Sequence, residues 1–182
     1  MQAGSNFVWL AVGRLTPAKD YPNLLHAFAQ VRSANPKTTL WIAGEGDLAH
    51  VQQAMQDDSG VQLLGLRHDV SDLLDAADGY VLSSAWEGMP LALGEAMAME
   101  KPVVATDVGG VRELVGEAGL IVDPKNGSAF ADAMHKVMAM DEVHRKEFGR
   151  DARKRIQLHF SMNEKAVEWE QLYARVMQEK PR

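Results

Sequence analysis

Short runs of apolar residues alternate along the chain with longer segments in which apolar residues recur every three or four positions. The short runs predict strands and the longer segments predict helices. Each short run is continuously apolar, which is typical of parallel strands with helices on both faces. The pattern predicts an α/β fold, a Rossmann-like doubly wound parallel sheet of about six strands. The runs that predict strands are FVWLAVG, TTLWIAG, VQLLG, GYVLS, PVVAT and LIV.

The domain organisation follows from where this alternation begins and stops. It begins at Phe7 and ends near Pro124, and residues 126–178 predict helices only. At 182 residues the chain fits one domain with a single large core. We therefore expect one domain at 7–178, preceded by an unstructured lead at 1–6 and followed by a tail at 179–182.

Composition and charge exclude several classes of protein. The net charge of -6 argues against nucleic acid or an anionic membrane as a general partner. The absence of cysteine removes disulfides, thiolate catalysis and cysteine-bound zinc. No apolar run approaches the roughly 20 residues of a membrane span. We expect a cytoplasmic protein, with peripheral contact at the inner membrane face left open for a longer, full-length chain.

The loops after the predicted strands carry most of the candidate chemistry. In a doubly wound sheet, ligands bind outside the carboxyl ends of the strands, where these loops meet. The first loop contains Gly13 and two cations, Arg14 and Lys19, which suit an anionic ligand. Glycine recurs in nearly every loop and allows close backbone approach. The five loops are GRLTPAKD, GEGD, GLRHD, SSAWEGMP and TDVGG.

Two carboxylates, Glu87 and Glu95, lie in a segment otherwise made of small and apolar residues. Pro90 suits the first turn of a helix, so we expect Glu87 in the loop before that helix and Glu95 inside it. Even on one continuous helix they would be about 12 Å apart, too far for the two-carboxylate geometry of glycosidases. Apolar residues surround the helix, which predicts that it is buried with Glu95 as its one polar group. That carboxylate then needs donors, either ligand hydroxyls or a serine, arginine or backbone N–H of the core.

The start of the same helix is a candidate anion site. Beyond Gly88, the backbone N–H groups of Met89, Leu91 and Ala92 would be unpaired at the positive end of the helix dipole. A ligand with phosphates and vicinal hydroxyls would satisfy both this site and the carboxylates. That description fits a nucleotide diphosphate sugar.

A second pattern resembles a dinucleotide fingerprint. Gly44, Gly46 and Ala49 follow a predicted strand and open a helix, as in G-x-G-x-x-G/A. The match falls in the second βα unit, however, and no acidic residue ends the next strand to hold a ribose. We therefore do not expect nicotinamide or flavin binding.

Several of these motifs resemble the retaining glycosyltransferases of family 4. EGMPLALGE matches the E-x7-E motif of that family, and GRLTPAKD resembles its G-R-x4-K phosphate loop. The resemblance covers the chain from about Phe7 to Gln178, and the joint order of the motifs makes it specific. Other similar stretches are IAGEGDL, LLGLRHDVSDLLDAADGYVLSS, EAMAMEKPVVATDVGGVREL and WEQLYARV.

The resemblance implies a fold and an activity. The family consists of two facing Rossmann-like domains, the GT-B arrangement, and this sequence resembles only the C-terminal one, which binds the sugar nucleotide. A missing N-terminal domain would bind the acceptor and would be the partner of this chain. The implied reaction keeps the anomeric configuration and needs no metal or other cofactor, and the chain contains no D-x-D or H-x-x-x-H motif. The fragment alone is expected to bind donor and to transfer poorly.

The resemblance also assigns roles to individual residues. Arg14 and Lys19 would neutralise the diphosphate as it leaves, and Glu87 would face the donor sugar, so these three are the expected catalytic residues. Glu95 would bind the ribose hydroxyls. Leu66 and Arg67 would contact the base. The other expected binding residues offer mainly backbone groups: Gly13, Gly88, Met89, Leu91 and Ala92.

The sequence departs from the family at two positions and leaves two alternatives open. The family often has glycine where this chain has Asp20 and Glu100. Asp20 would place a negative charge beside Lys19, whereas Glu100 would change only a turn.

A GT-B-like epimerase or hydrolase would keep the phosphate loop but would need more acid and base residues near the sugar. A flavodoxin-like interaction module would have no nucleotide affinity.

Overall fold

The structure is a computed structural model that describes residues 6–55 and 60–178. The predicted lead, except for residue 6, and the predicted tail at 179–182 lie outside the described residues. The described part forms one parallel sheet in the order β3-β2-β1-β4-β5-β6, which confirms the predicted doubly wound fold. The strands are β1 (Phe7–Val12), β2 (Thr38–Ala43), β3 (Val61–Gly65), β4 (Gly79–Leu82), β5 (Val103–Thr106) and β6 (Leu120–Val122).

The helices fall where the 3.6-residue pattern predicts them, with one shorter than expected. The helix expected to open after Gly44 and Gly46 contains five residues and ends at Gln52. After β6 the described residues contain helices only, as predicted. The helices are α1 (Tyr21–Ala34), α2 (Leu48–Gln52), α3 (Val70–Ala76), α4 (Leu91–Ala98), α5 (Val111–Val115), α6 (Gly127–Ala139), α7 (Glu142–His159) and α8 (Met162–Gln178).

Both faces of the sheet are buried, because alternate strand residues enter two separate cores. In β1, Trp9 and Ala11 pack in the first core with α1, α2 and α6. Leu10 packs in the second core with α3, α4, α5 and α7. The central strands β4 and β5 are buried along their whole length, which explains their continuous apolar sequences.

The last helix, α8, differs from α6 because its large apolar side chains are exposed. Trp169 is 55% exposed and Tyr173 is 61% exposed. In contrast, α6 buries Phe130, Met134 and Val137 against the sheet. The exposed side chains of α8 also include Met162, Val167, Leu172, Val176 and Met177.

The two positions where the resemblance expects glycine both have a left-handed backbone. Asp20 has a φ of 45° and Glu100 has a φ of 59°. Asp20 lies directly before α1, and Glu100 follows the end of α4. Glycine adopts this conformation without steric cost, whereas residues with a Cβ are strained there. The backbone therefore explains why glycine suits these positions.

Candidate functional site

The candidate site lies where the strand order reverses, between β1 and β4. In doubly wound sheets this switch point opens a crevice at the carboxyl ends of the strands. The loop after β1 and the loop after β4 meet there and are joined by two hydrogen bonds. Ala85 N donates to the carbonyl of Ala18 at 2.8 Å, and Ser83 Oγ donates to the carbonyl of Lys19 at 2.8 Å. The two loops therefore form one unit.

The loop after β1 is also held from the side of β2. Leu15 N donates to the carbonyl of Glu45 at 2.8 Å, and Asp47 N donates to the carbonyl of Leu15 at 2.9 Å. A Cβ at Gly44 would lie 2.0 Å from the Gly13 oxygen, and one at Gly46 would lie 2.5 Å from the Leu15 oxygen. These two glycines are needed for the close approach of the loops. This explains the dinucleotide-like pattern, which lies beside β2 rather than at the switch point.

Lys19 and Glu87 form the centre of the site. Lys19 Nζ lies 2.5 Å from Glu87 Oε1, and their side chains are 21% and 13% exposed. The same oxygen accepts a hydrogen bond from Ser84 Oγ at 2.6 Å. Glu87 lies in the loop before α4, as predicted, but it is too enclosed to be an exposed loop acid. The acidic neighbour of Lys19 is this carboxylate, and the structure records no ion pair between Lys19 and Asp20 among the described residues.

Two tyrosines support the floor of the site. Tyr21 donates from its hydroxyl to the carbonyl of Gly13 at 3.0 Å, and Tyr80 donates to the carbonyl of Val12 at 3.3 Å. Burial, and to a smaller extent the charge of Glu87, raises the pKa of Tyr21 well above its ordinary value. Burial likewise raises the pKa of Tyr80. Both tyrosines therefore remain protonated donors near neutral pH and hold the end of β1.

Glu95 is exposed, and the prediction that it is a buried polar group is wrong. The helix α4 buries one face only, formed by Leu93, Ala96 and Met97. Leu91 on the other face is 76% exposed. Apolar residues occur all around this helix, so the sequence does not reveal which face meets the core. Glu95 needs no partner within the core, and its carboxylate is accessible.

The start of α4 offers unpaired backbone donors, as predicted. Pro90 is the residue before the helix rather than its first residue, and α4 contains eight residues. The carbonyl of Gly88 accepts a hydrogen bond from Gly110 N at 2.8 Å, which fixes the loop before α4 to the loop after β5. Among the described residues no acceptor is recorded for four backbone N–H groups. These belong to Gly88, Met89, Leu91 and Ala92.

The remaining predicted residues lie at exposed positions. Arg14 is exposed, and its guanidinium forms no hydrogen bond or ion pair with any residue in the described ranges. Arg67 is ion-paired with Asp69, with Arg67 Nη2 2.5 Å from Asp69 Oδ2, and this hydrogen bond lowers the pKa of the Asp69 carboxyl. Leu66 beside it is 56% exposed. The structure thus brings Lys19 and Glu87 into contact and leaves the side chains of Arg14 and Glu95 accessible.

Three residues of the site were missed by sequence reasoning. Ser84 binds Glu87, and Thr106 at the end of β5 donates to the carbonyl of Ser84 at 2.6 Å. Asp69 holds Arg67. Ser84 lies three residues before Glu87, which was an available signal, whereas the contact with Thr106 depends on the order of the strands.

Residues 6–55 and 60–178 contain neither a metal-binding cluster nor a membrane-spanning helix. This part of the chain contains no group of three or more histidine, aspartate or glutamate side chains placed to hold a metal ion. None of its helices combines the length and apolarity needed to cross a bilayer.

Comparison with known proteins gives a consistent family. The family model described as Glycosyl transferases group 1 matches residues 6–140. The UDP-Gal:alpha-D-GlcNAc-diphosphoundecaprenol alpha-1,3-galactosyltransferase of Escherichia coli is 32% identical over 142 residues, which are 73% of this chain and 37% of that protein.

Two solved structures share the fold. The sucrose-phosphate synthase of Thermosynechococcus elongatus is 27% identical with a TM-score of 0.84, over 95% of this chain and 46% of that one. HepE of Anabaena, in complex with UDP and glucose, is 25% identical with a TM-score of 0.80, over 96% of this chain and 49% of that one. This chain therefore covers less than half the length of each of these three proteins. On the match to the family model, which covers most of its length, the chain belongs to the glycosyl transferases group 1 family.

Proposed function

We propose that this chain is the donor-binding domain of a retaining, metal-independent glycosyltransferase of family 4. The observation that carries the proposal is the Lys19–Glu87 pair at the switch point, beside a helix start with unpaired N–H groups. A cation, a carboxylate and backbone donors together suit a ligand that combines a diphosphate with a hydroxyl-rich sugar. The UDP in the name of the galactosyltransferase relative and in the HepE complex supports the same ligand class.

The diphosphate is assigned to the cations and to the helix start. Arg14 is exposed and unpaired among the described residues, so a phosphate can reach it without displacing a protein group. Lys19 is less exposed and already paired. Together they would stabilise the charge that develops on the departing diphosphate, which is the role of a metal ion in other transferases. The N–H groups before and within the first turn of α4 would bind the same anion.

The two carboxylates are assigned to the two sugars of the ligand. Glu87 would accept hydrogen bonds from the donor sugar, since its Oε2 accepts none from the described residues. Glu95 is exposed on α4 and would accept from the ribose hydroxyls. Leu66 and Arg67 would contact the base, and Arg67 would have to exchange or share its pairing with Asp69.

Transfer requires an acceptor site that we assign to a second domain. This chain covers between 37% and 49% of the three matched proteins named above, and the family resemblance implies that the acceptor binds mainly to an N-terminal domain. We infer that this chain alone binds donor and transfers sugar slowly or not at all. Retention of anomeric configuration is a property of the complete enzyme and is read from its product.

A calorimetric titration tests the donor-binding proposal directly. The panel contains UDP-glucose, UDP-galactose, UDP-N-acetylglucosamine, GDP-mannose and ADP-glucose, each beside its nucleoside diphosphate. We expect the nucleotides of one base to bind most tightly. Arg14→Ala and Glu95→Ala should each raise the Kd of these nucleotides by about tenfold or more, because each removes a charge-assisted hydrogen bond.

The matched control is Lys37→Ala, which removes an exposed cation before β2. Its affinity should equal that of the wild type. The proposal is overturned if no nucleotide binds, or if Arg14→Ala and Glu95→Ala bind as tightly as Lys37→Ala.

A further inference from the structure

The carboxylate of Glu87 is held through one oxygen only. Oε1 accepts from both Lys19 Nζ at 2.5 Å and Ser84 Oγ at 2.6 Å. No hydrogen bond to Oε2 is recorded from the described residues. The side chain is 13% exposed, so its orientation is set by these two donors rather than by water. Whatever binds Oε2 therefore depends on how firmly Oε1 is held.

The two donors differ in how firmly they are themselves fixed. Ser84 is fully buried, and its carbonyl accepts from Thr106 Oγ1 at 2.6 Å. Thr106 is also fully buried, at the end of β5, and its hydroxyl lies 3.4 Å from the carbonyl of Leu82 as well. Strand β5 thus holds the backbone of Ser84, and Ser84 holds the carboxylate. Neither group needs to move when a ligand enters.

Lys19 is the movable donor of the pair. Its ammonium is at the end of a flexible four-carbon side chain that is 21% exposed. A diphosphate carries more negative charge than one carboxylate and would attract this ammonium. When Lys19 turns toward the phosphates, Ser84 remains as the fixed donor to Glu87.

We propose that Ser84, held by Thr106, is a positioning residue that keeps the Glu87 carboxylate aimed at the donor sugar while Lys19 binds the diphosphate. This inference rests on the proposed function, because it assigns Glu87 to the sugar. It predicts that Ser84 contributes to recognition of the sugar and not to recognition of the nucleotide. A role in folding alone would weaken both kinds of binding together.

The first test compares two affinities in one variant. The two ligands are the sugar nucleotide of the panel above that binds most tightly and its nucleoside diphosphate. The Kd of each ligand is measured for the wild type and for Ser84→Ala. We expect the Kd of the nucleoside diphosphate to stay within about twofold and the Kd of the sugar nucleotide to rise about tenfold, since the hydrogen bond to a charged group is lost.

The second test uses a matched pair at Thr106, which does not touch Glu87. Thr106→Val keeps the shape of the side chain and removes its hydroxyl, whereas Thr106→Ser keeps the hydroxyl. We expect Thr106→Val to raise the Kd of the sugar nucleotide about threefold and to leave the Kd of the nucleoside diphosphate unchanged. In Thr106→Ser both Kd values should equal those of the wild type. Circular dichroism on each variant verifies that it is folded.

The outcomes separate this inference from the function on which it rests. If the wild type binds no nucleotide, the proposed function and the inference both fail. If the wild type binds and Ser84→Ala binds both ligands like the wild type, only the inference fails. The inference is also overturned if Ser84→Ala weakens binding of the sugar nucleotide and of the nucleoside diphosphate equally. The same holds if binding of both ligands is weakened equally in both Thr106→Val and Thr106→Ser.

Discussion

The two halves of the candidate site are built differently. Around Glu87, the carboxylate, its lysine and its serine are already joined and are largely enclosed. Around Arg14 and Glu95, the charged groups are exposed and have no ion pair with any described residue. We call these the connected half (Lys19, Ser84 and Glu87) and the open half (Arg14 and Glu95).

The difference separates stability from recognition. A charge in the connected half takes part in the fold, because removing its partner leaves a mostly buried group unpaired. A charge in the open half is solvated until a ligand arrives, so its removal changes ligand affinity and leaves stability within about 0.5 kcal/mol. Substitutions of Lys19 and Glu87 test this distinction, and a substitution of Glu100, outside both halves, should change stability without changing ligand affinity.

The largest effect is expected from Lys19→Ala. The substitution leaves Glu87 without its cation while it is 13% exposed. We expect the free energy of unfolding to fall by about 2 kcal/mol, less than for a fully buried pair because Ser84 still donates. Urea denaturation measures this change, and calorimetry should find nucleotide binding weakened more than tenfold. A loss of stability no greater than that of Arg14→Ala would remove the distinction between the halves.

A smaller effect is expected from Glu87→Gln, which should strengthen rather than weaken binding of the nucleoside diphosphate. In the free protein Glu87 holds Lys19 at 2.5 Å, so a diphosphate must compete with the carboxylate for the ammonium. Glutamine keeps the size and removes the charge. We expect the nucleoside diphosphate to bind about two- to fivefold more tightly, while the sugar nucleotide loses its advantage over the diphosphate. Weaker binding of the diphosphate would mean that Glu87 orients Lys19 rather than competing for it.

The smallest effect is expected outside both halves, at Glu100. Its left-handed φ of 59° is relieved by glycine, and the ion pair it forms with Arg153 at 3.7 Å is exposed and contributes little. Glu100→Gly should raise the free energy of unfolding by about 0.5 kcal/mol in urea and leave the nucleotide Kd unchanged. Glu100→Ala is the control, because it removes the ion pair and keeps the strain. A gain in Glu100→Ala equal to that of glycine would exclude the backbone as the cause.

The sequence predicted the fold and the edge of the sheet that carries the site. Continuous apolar runs separated by helical patterns can form few architectures, and the position of each loop after its strand follows from them. Lys19 and Glu87 could therefore be assigned to one edge from the sequence alone. Their direct contact could not, because it depends on β1 and β4 being neighbours.

Two other features depend on properties that the sequence pattern does not carry. The exposure of Glu95 follows from the rotation of α4 about its axis, and a helix with apolar residues on all sides gives little indication of that rotation. The positive φ of Asp20 follows from the 3-10 turn at Pro17–Lys19 running directly into α1. The resemblance indicated that glycine suits this position but gave no reason for it.

The joining of β1 to β4 also has a consequence for how the protein folds. Lys19 and Glu87 are 68 residues apart in the chain, and the sheet order puts β1 to β3 on one side of the switch point and β4 to β6 on the other. Contacts at such separation form late, because closing a long loop costs entropy before any contact forms. Neither side alone contains the connected half. During refolding, nucleotide affinity should therefore appear only when the two sides dock, making ligand binding a reporter of the last step rather than of initial collapse.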